Sequence, residues 1–213
     1  MGIDKLYYGY RRFVDRYASI KDSVMKKLYC EGQSPEFMVI SCCDSRVDPA
    51  ILFQSDPGDM FVVRNIANIV PPYKKDSRPL EVQAALEYGV NALRVRHLVL
   101  VGHNECGGVM TWRKNQEKDS TKQFEFIDDW VSNIHIDIDN VEGKSSDDCS
   151  KLSLVNSYNN CLTYPWIKEK TDKGELEIHL HYIDLQTSML HIWNHDHNRF
   201  EVYMRASQDL TGC

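Results

Sequence analysis

Three short apolar runs constrain this chain more than any other feature: F-M-V-I-S at 37–41, F-V-V at 61–63 and H-L-V-L-V at 97–101. None alternates apolar with polar residues, as a strand with one wet face would, so each reads as a strand buried on both faces. Each also runs straight into a polar motif, respectively C-C-D-S-R, R-N-I-A-N and G-H-N-E-C-G-G. A helix is expected between the second and third runs, from about Pro79 to Leu93, with Val82, Ala85, Leu86 and Leu93 on one face. Strand–helix–strand alternation predicts an α/β domain with a central, mainly parallel sheet flanked by helices. In open sheets of that kind, sites gather beyond the carboxyl ends of the strands, where all three polar motifs lie.

The first thirty residues read as one amphipathic helical arm, with Tyr10, Phe13, Tyr17, Ile20 and Val24 in a stripe and Arg11, Arg12, Arg16 and Lys21 between them. Such a stripe must be buried against its own core, another subunit or a membrane surface. E-G-Q-S-P then breaks the pattern. Beyond Thr111 the chain is polar, with a helix expected near Phe124 to Ile134 and an acidic loop around Asp147 and Asp148. Helical segments follow, interrupted at Pro165, and L-E-I-H-L-H-Y-I-D-L, M-L-H-I-W and F-E-V-Y-M read as strands. There is no repeat or linker, and 213 residues are enough for one core but short for two. One domain, 1–213, with residues 1–30 as an arm, is expected.

A net charge of -6 argues against nucleic acid as a partner, because phosphate binding needs a basic surface. No apolar run approaches the roughly 20 residues of a membrane span, and the N-terminus does not read as a signal peptide. Seven cysteines, at 30, 42, 43, 106, 149, 161 and 213, are an odd set at irregular spacing. They suit reduced thiols in a cytoplasm better than a secreted disulfide framework.

Two of those thiols are placed for metal. Cys42, His103 and Cys106 offer two thiolates and an imidazole, a complete set for a catalytic zinc that keeps its fourth tetrahedral position open. Structural zinc usually takes four Cys or His ligands, so a closed site is the weaker alternative, beside two buried thiols and a satisfied histidine. Zinc-bound water ionises near neutral pH and becomes a nucleophile. Asp44 and Arg46 follow the first ligand at steps of two. An aspartate paired with arginine stays ionised and can accept a proton from the metal-bound hydroxide. Without that partner Asp44 could swing onto the zinc; the plainer alternative is a surface ion pair. Gly107 and Gly108 let backbone approach the metal and expose N–H groups to an oxyanion, or simply make a turn.

C-x-D-S-R with H-x-x-C, joined by P-G-D-M-F-V-V-R-N-I-A-N and L-E-Y-G-V, resembles the β-class carbonic anhydrases from about Gln33 to Val109, and more loosely through L-T-Y-P-W to the last strands. The resemblance implies the β-carbonic anhydrase fold, Zn2+ on Cys42, His103 and Cys106, and reversible hydration of CO2 to bicarbonate and a proton. Asp44 and Arg46 match the family's catalytic dyad, and Phe61, Ile66 and Tyr88 match its pocket lining. G-Q-S-P-E-F-M-V and I-A-N-I-V-P-P-Y are similar to the plant-type branch, in which the residue matching Gln33 hydrogen-bonds the substrate oxygen. The bicarbonate-inhibited branch carries tryptophan where Val39 stands. The same resemblance implies a homodimer or higher even oligomer, with the N-terminal helix packed on a partner subunit. Alternatives are a CS2 or COS hydrolase on the same fold, and a non-catalytic zinc protein whose fourth position is closed by Asp44.

Cys43 departs from the Ser or Ala common in relatives. On an extended strand end it should point away from Cys42, and it is expected to pack. His191, His195 and His197 in H-I-W-N-H-D-H-N could form a second metal site or relay protons, but N-H-D-H-N between two strands reads more economically as a hairpin turn. His179 and His181 fall on one face of a strand and are expected to pack in the core or an interface.

Overall fold

The computed structural model describes residues 2–75, 81–117, 120–137 and 143–204. Six strands among them form one sheet: β1 (Phe37–Cys42), β2 (Met60–Asn65), β3 (His97–His103), β4 (Glu177–Asp184), β5 (Met189–Asn194) and β6 (Arg199–Met204). The order is β2-β1-β3-β4-β5-β6. The first four are mutually parallel, while β5 and β6 return antiparallel as a hairpin. The sheet is therefore mainly parallel, as expected from the uninterrupted apolar runs. All three runs continue past their predicted ends, to Cys42, Asn65 and His103. The polar motifs thus begin while their residues are still held by the ladder.

Period-two alternation sends neighbouring residues of β1 and β3 into two different cores. Met38, Ile40, Leu98 and Leu100 enter one, with Leu154, Leu180 and Tyr182. Val39, Val99 and Val101 enter the other, with Val109, Trp112 and Ile134. Burial on both faces is what gives a central strand a continuous apolar sequence.

The helices are α1 (Asp4–Tyr17), α2 (Val24–Glu31), α3 (Pro49–Leu52), α4 (Glu81–Glu87), α5 (Gly107–Asn115), α6 (Ile127–Val131), α7 (Ser146–Cys161) and α8 (Pro165–Asp172). The arm is two helices, not the single one its stripe predicts. α1 ends at Tyr17, and after a short turn Ser23 is extended and its hydroxyl accepts from the Lys26 N–H, capping α2 as a new helix. The helix expected from Pro79 begins at Glu81, Pro79 itself lying outside the described residues, and widens into a π turn at Tyr88–Ala92. The helix expected at 124–134 is only Ile127–Val131. Pro165 opens α8 at its first turn, where a missing N–H costs nothing.

N-H-D-H-N is the β5–β6 turn, with Asn194 Oδ1 accepting from the Asp196 and His197 N–H groups. Cys213 lies outside the described residues. No helix among the described residues is long and apolar enough to cross a membrane.

Candidate metal centre

β1 and β3 are parallel neighbours, so their carboxyl ends share one edge of the sheet. Cys42 is the last residue of β1 and His103 the last of β3. A turn with Glu105 at φ 51° returns the chain to Cys106, the N-cap of α5. Residues 64 positions apart are thereby joined, with the Cys42 and Cys106 sulfurs 3.9 Å apart. Thiolates at about 2.3 Å from a tetrahedral zinc stand roughly 3.8 Å from one another. The two sulfurs and a His103 nitrogen all lie within 4.8 Å of one another.

The imidazole is set for ligation. His103 Nδ1 lies 2.7 Å from the Asn104 carbonyl oxygen, which can only accept, so Nδ1 carries the proton. Nε2 is left with its lone pair, buried and without a hydrogen-bond partner. An orphaned buried nitrogen is costly unless something else, such as a metal, uses it. Asn104 is fixed in turn: its amide donates to Asp184 Oδ1 and its oxygen accepts from the Leu185 N–H, tying the turn to the end of β4. The sulfurs share their proton unequally. A hydrogen bond from the Cys106 thiol holds Cys42 well below the ordinary thiol range, and the same bond holds Cys106 above it. The Asp44 and Ala67 N–H groups favour the thiolate at Cys42, and those of Val109 and Gly108 at Cys106.

Asp44 stands just outside this set. Its Oδ2 is 4.0 Å from His103 Nε2. Arg46 holds it by three bonds: the backbone N–H and Nε donate to Oδ1, both at 2.9 Å, and Nη2 donates to Oδ2 at 2.7 Å. The guanidinium keeps the carboxyl well below the usual carboxylate range. Arg64, on the neighbouring strand, clamps the same loop: Nε donates to the Cys42 carbonyl, Nη2 to that of Asp44 and Nη1 to Asp48 Oδ2. The sequence places R-N-I-A-N among the polar motifs at the sheet's carboxyl edge but singles out no role for Arg64, whose only signal is a lone cation following apolar F-V-V.

The glycines divide. A Cβ on Gly108 would come within 2.6 Å of Ile66 Cγ2 and 2.9 Å of Ala67 Cβ, so only glycine lets α5 approach the 66–68 loop. A Cβ on Gly107 would meet nothing within 4 Å. Ile66 is therefore at the centre. Phe61 and Tyr88 pair with each other, ring centroids 5.7 Å apart, but away from it. Phe61 is level with Met38, four residues down the ladder from Cys42, or about 13 Å. Gln33 is exposed beyond α2. Cys43 is exposed and not packed as expected, because its strand end leaves the core. His179 and His181 share a face with His97, and His179 Nε2 lies 3.1 Å from His97 Nδ1.

Comparison with known sequences accounts for this arrangement. The carbonic anhydrase family model matches residues 37–190, and the chain is 37% identical to the chloroplastic β carbonic anhydrase 5 of Arabidopsis thaliana across 80% of its length. The chain belongs to the β-carbonic anhydrase family. It is also 33% identical to the mitochondrial β carbonic anhydrase 6 of the same plant, across 76% of its length. The chain spans 58% of each of those two relatives, a little over half. Among solved structures, the β-carbonic anhydrase CcaA superposes with a TM-score of 0.79 at 26% identity, over 95% of this chain and 92% of that one. A Coccomyxa β-carbonic anhydrase bound to acetazolamide gives 0.65 at 25% identity, over 89% and 85%. A tetrameric β-carbonic anhydrase of Sordaria macrospora shares the fold, with a TM-score of 0.64 at 24% identity, over 94% and 92%. β-Carbonic anhydrases are zinc enzymes, and the Cys–His–Cys set with its orphaned nitrogen fits that metal.

Proposed function

We propose that this chain catalyses the reversible hydration of carbon dioxide to bicarbonate and a proton, with zinc held by Cys42, His103 and Cys106. The observation that carries this reading is the position of Asp44, 4.0 Å from His103 Nε2 and held there by three Arg46 donors. A carboxylate acting as the fourth ligand would sit roughly 3.3 Å from a nitrogen ligand. Asp44 is thus beside the open position and not in it, which weighs against a permanently closed zinc protein.

Bound zinc supplies a Lewis acid that brings the ionisation of water into the neutral range. Arg46 keeps Asp44 ionised, so the carboxylate can only accept. Lone-pair capacity left on Oδ2 would accept a hydrogen bond from the group at the open position and orient it toward carbon, Asp44 itself staying ionised. Asn104 holds the His103 ring, and Arg64 holds the backbone on either side of the Asp44 carboxylate. Ile66 and Gly108 give CO2 an apolar wall, which suits a substrate with no charge until it becomes bicarbonate. Gln33, Phe61, Tyr88 and the Gly107 and Gly108 N–H groups complete the pocket in this reading. The first three require a neighbouring copy to carry them to the metal, which supports a homodimer or higher even oligomer.

Val39 and Gln33 support the plant-type branch. The six described cysteines are free, which suits a reducing compartment. In this reading that compartment is the cytoplasm, although two plant relatives carry organelle names. Asp44→Ala should keep its zinc and lose turnover about 100-fold or more in stopped-flow CO2 hydration. Wild-type turnover in that variant would remove Asp44 from the mechanism. A fully zinc-loaded wild type inactive at every pH would overturn the activity itself.

A further inference from the structure

A second group of donors lies at the opposite end of the same sheet. His97 opens β3 and Glu177 opens β4, and the parallel register sets them side by side, with His179 two residues further along the same face. His97 Nδ1 and His179 Nε2 are 3.1 Å apart, close enough for one ring to donate to the other until a cation takes both lone pairs. Glu177 Oε2 is 3.6 Å from each of those nitrogens. At 3.6 Å the carboxylate makes a hydrogen bond to neither ring. The three atoms instead outline a triangle of 3.1, 3.6 and 3.6 Å. One face of a tetrahedral zinc with nitrogen and oxygen ligands has edges of roughly 3.3 Å.

The surroundings favour ligation. The carboxylate of Glu36 lies 3.9 Å from the other His97 nitrogen, Nε2, too far for a hydrogen bond but close enough to add negative charge beside the triangle. The Phe37 ring stacks on His97, centroids 5.2 Å apart, and fixes the plane of the imidazole. Both histidines are partly exposed and Glu177 is open to solvent, so a cation can reach the triangle and water can complete its shell.

We propose that His97, His179 and Glu177 form a second, surface site for a divalent transition-metal cation of the zinc class, with the Glu36 carboxylate adding negative charge nearby. The site goes beyond the proposed hydration activity and shares no residue with the first centre. Six residues of β3 separate His97 from His103, about 20 Å. Two imidazoles and one carboxylate suit zinc, nickel or copper better than magnesium or calcium, which favour all-oxygen shells. The site needs no backbone movement, because both strands are fixed by the ladder.

Equilibrium dialysis of the zinc-loaded protein against micromolar free Zn2+ tests the proposal by metal content. Wild type should hold about two zinc ions per chain, and His97→Ala and His179→Gln about one each. His195→Ala, at a neighbouring exposed histidine, should stay at about two. Cu2+ added to the zinc-loaded wild type should give a paramagnetic resonance spectrum with nitrogen couplings that His179→Gln reduces. One zinc per wild-type chain at every free concentration would overturn the site. So would two in both His97→Ala and His179→Gln, since the extra ion would then lie elsewhere. His179→Gln replaces a partly exposed strand side chain, so loss of its second ion with unchanged circular dichroism supports the assignment independently of folding.

Discussion

Asp44 and Arg46 are two residues apart, and their pairing is local: the Val47 N–H donates to the Asp44 carbonyl and the Arg46 N–H to Asp44 Oδ1, a tight turn that folds the guanidinium back onto the carboxylate. Arg64 is different. It reaches Cys42, Asp44 and Asp48 across a parallel ladder whose register, Cys42 against Asn65, exists only once β1 and β2 are paired. A single sequence gives little warning of such a contact, since the partners are 16 to 22 residues away and two of the acceptors are backbone carbonyls. Lysine at this position keeps the charge but offers one point of donation in place of a planar fork. Arg64→Lys should therefore loosen the loop that carries both a zinc ligand and Asp44. We expect a loss of about 10- to 100-fold in zinc affinity or turnover, the range for partners that orient ligands. Chelator competition and stopped-flow hydration read the two separately, and wild-type values in both would deny Arg64 a positioning role.

At the scale of elements, β1 and β3 were legible because burial on both faces leaves them almost wholly apolar, whereas β2, expected to be buried in the same way, is the sheet edge and only partly covered. The arm was not legible, because its apolar stripe runs unbroken across the gap between Tyr17, where α1 ends, and Ser23, whose hydroxyl caps the start of α2. The π turn at Tyr88–Ala92 was equally hidden, since one extra residue per turn hardly disturbs an apolar pattern. The β5–β6 hairpin lies between these cases: its turn was readable, its fastening was not. Glu201 on β6 accepts from His197 Nδ1, Asn194 Nδ2 and Arg199 Nε. These donors, His197 foremost, hold its carboxyl down to about 2. A folded value below that of the unfolded chain means that the tie is fully present above the ordinary carboxylate range. It is lost as pH falls through the folded value. At about pH 3 the Glu201 carboxylate should still be ionised in a carbon-detected titration, where a free glutamate is mostly protonated. Asn194→Ala should move the transition upward; a midpoint in the ordinary range in the wild type would show that the hairpin is not fastened this way.

The whole molecule poses a problem that one chain does not solve. Neither α1 nor α2 has a buried residue, and Leu6, Tyr8 and Tyr10 are 67%, 67% and 66% exposed. A 14-residue helix is marginal in water by itself, and α1 meets its own body chiefly through Arg16 and Tyr17 at Asp56. An apolar stripe with no core of its own marks an interaction surface. The family could be read from motifs because Cys42 is close in sequence to Asp44 and Arg46, and His103 to Cys106, although 61 positions separate Cys42 from His103. The completed pocket of the proposed reading could not, because Phe61 stands about 13 Å along the strand from the metal level of its own chain, with Tyr88 packed on it. In the proposed assembly a second copy clasped by α1 would cover the stripe and supply those walls. Leu6→Glu with Tyr10→Glu tests this without removing any residue. On a monomer, exposed substitutions change stability by no more than about 0.5 kcal/mol; across an interface they bury two carboxylates without partners. Sedimentation equilibrium should find wild type as a dimer or larger even assembly and the double variant shifted to monomer, with turnover per zinc falling in step. An unchanged assembly would free the arm from this role, and a monomeric variant with full turnover would return Phe61 and Tyr88 to the surface.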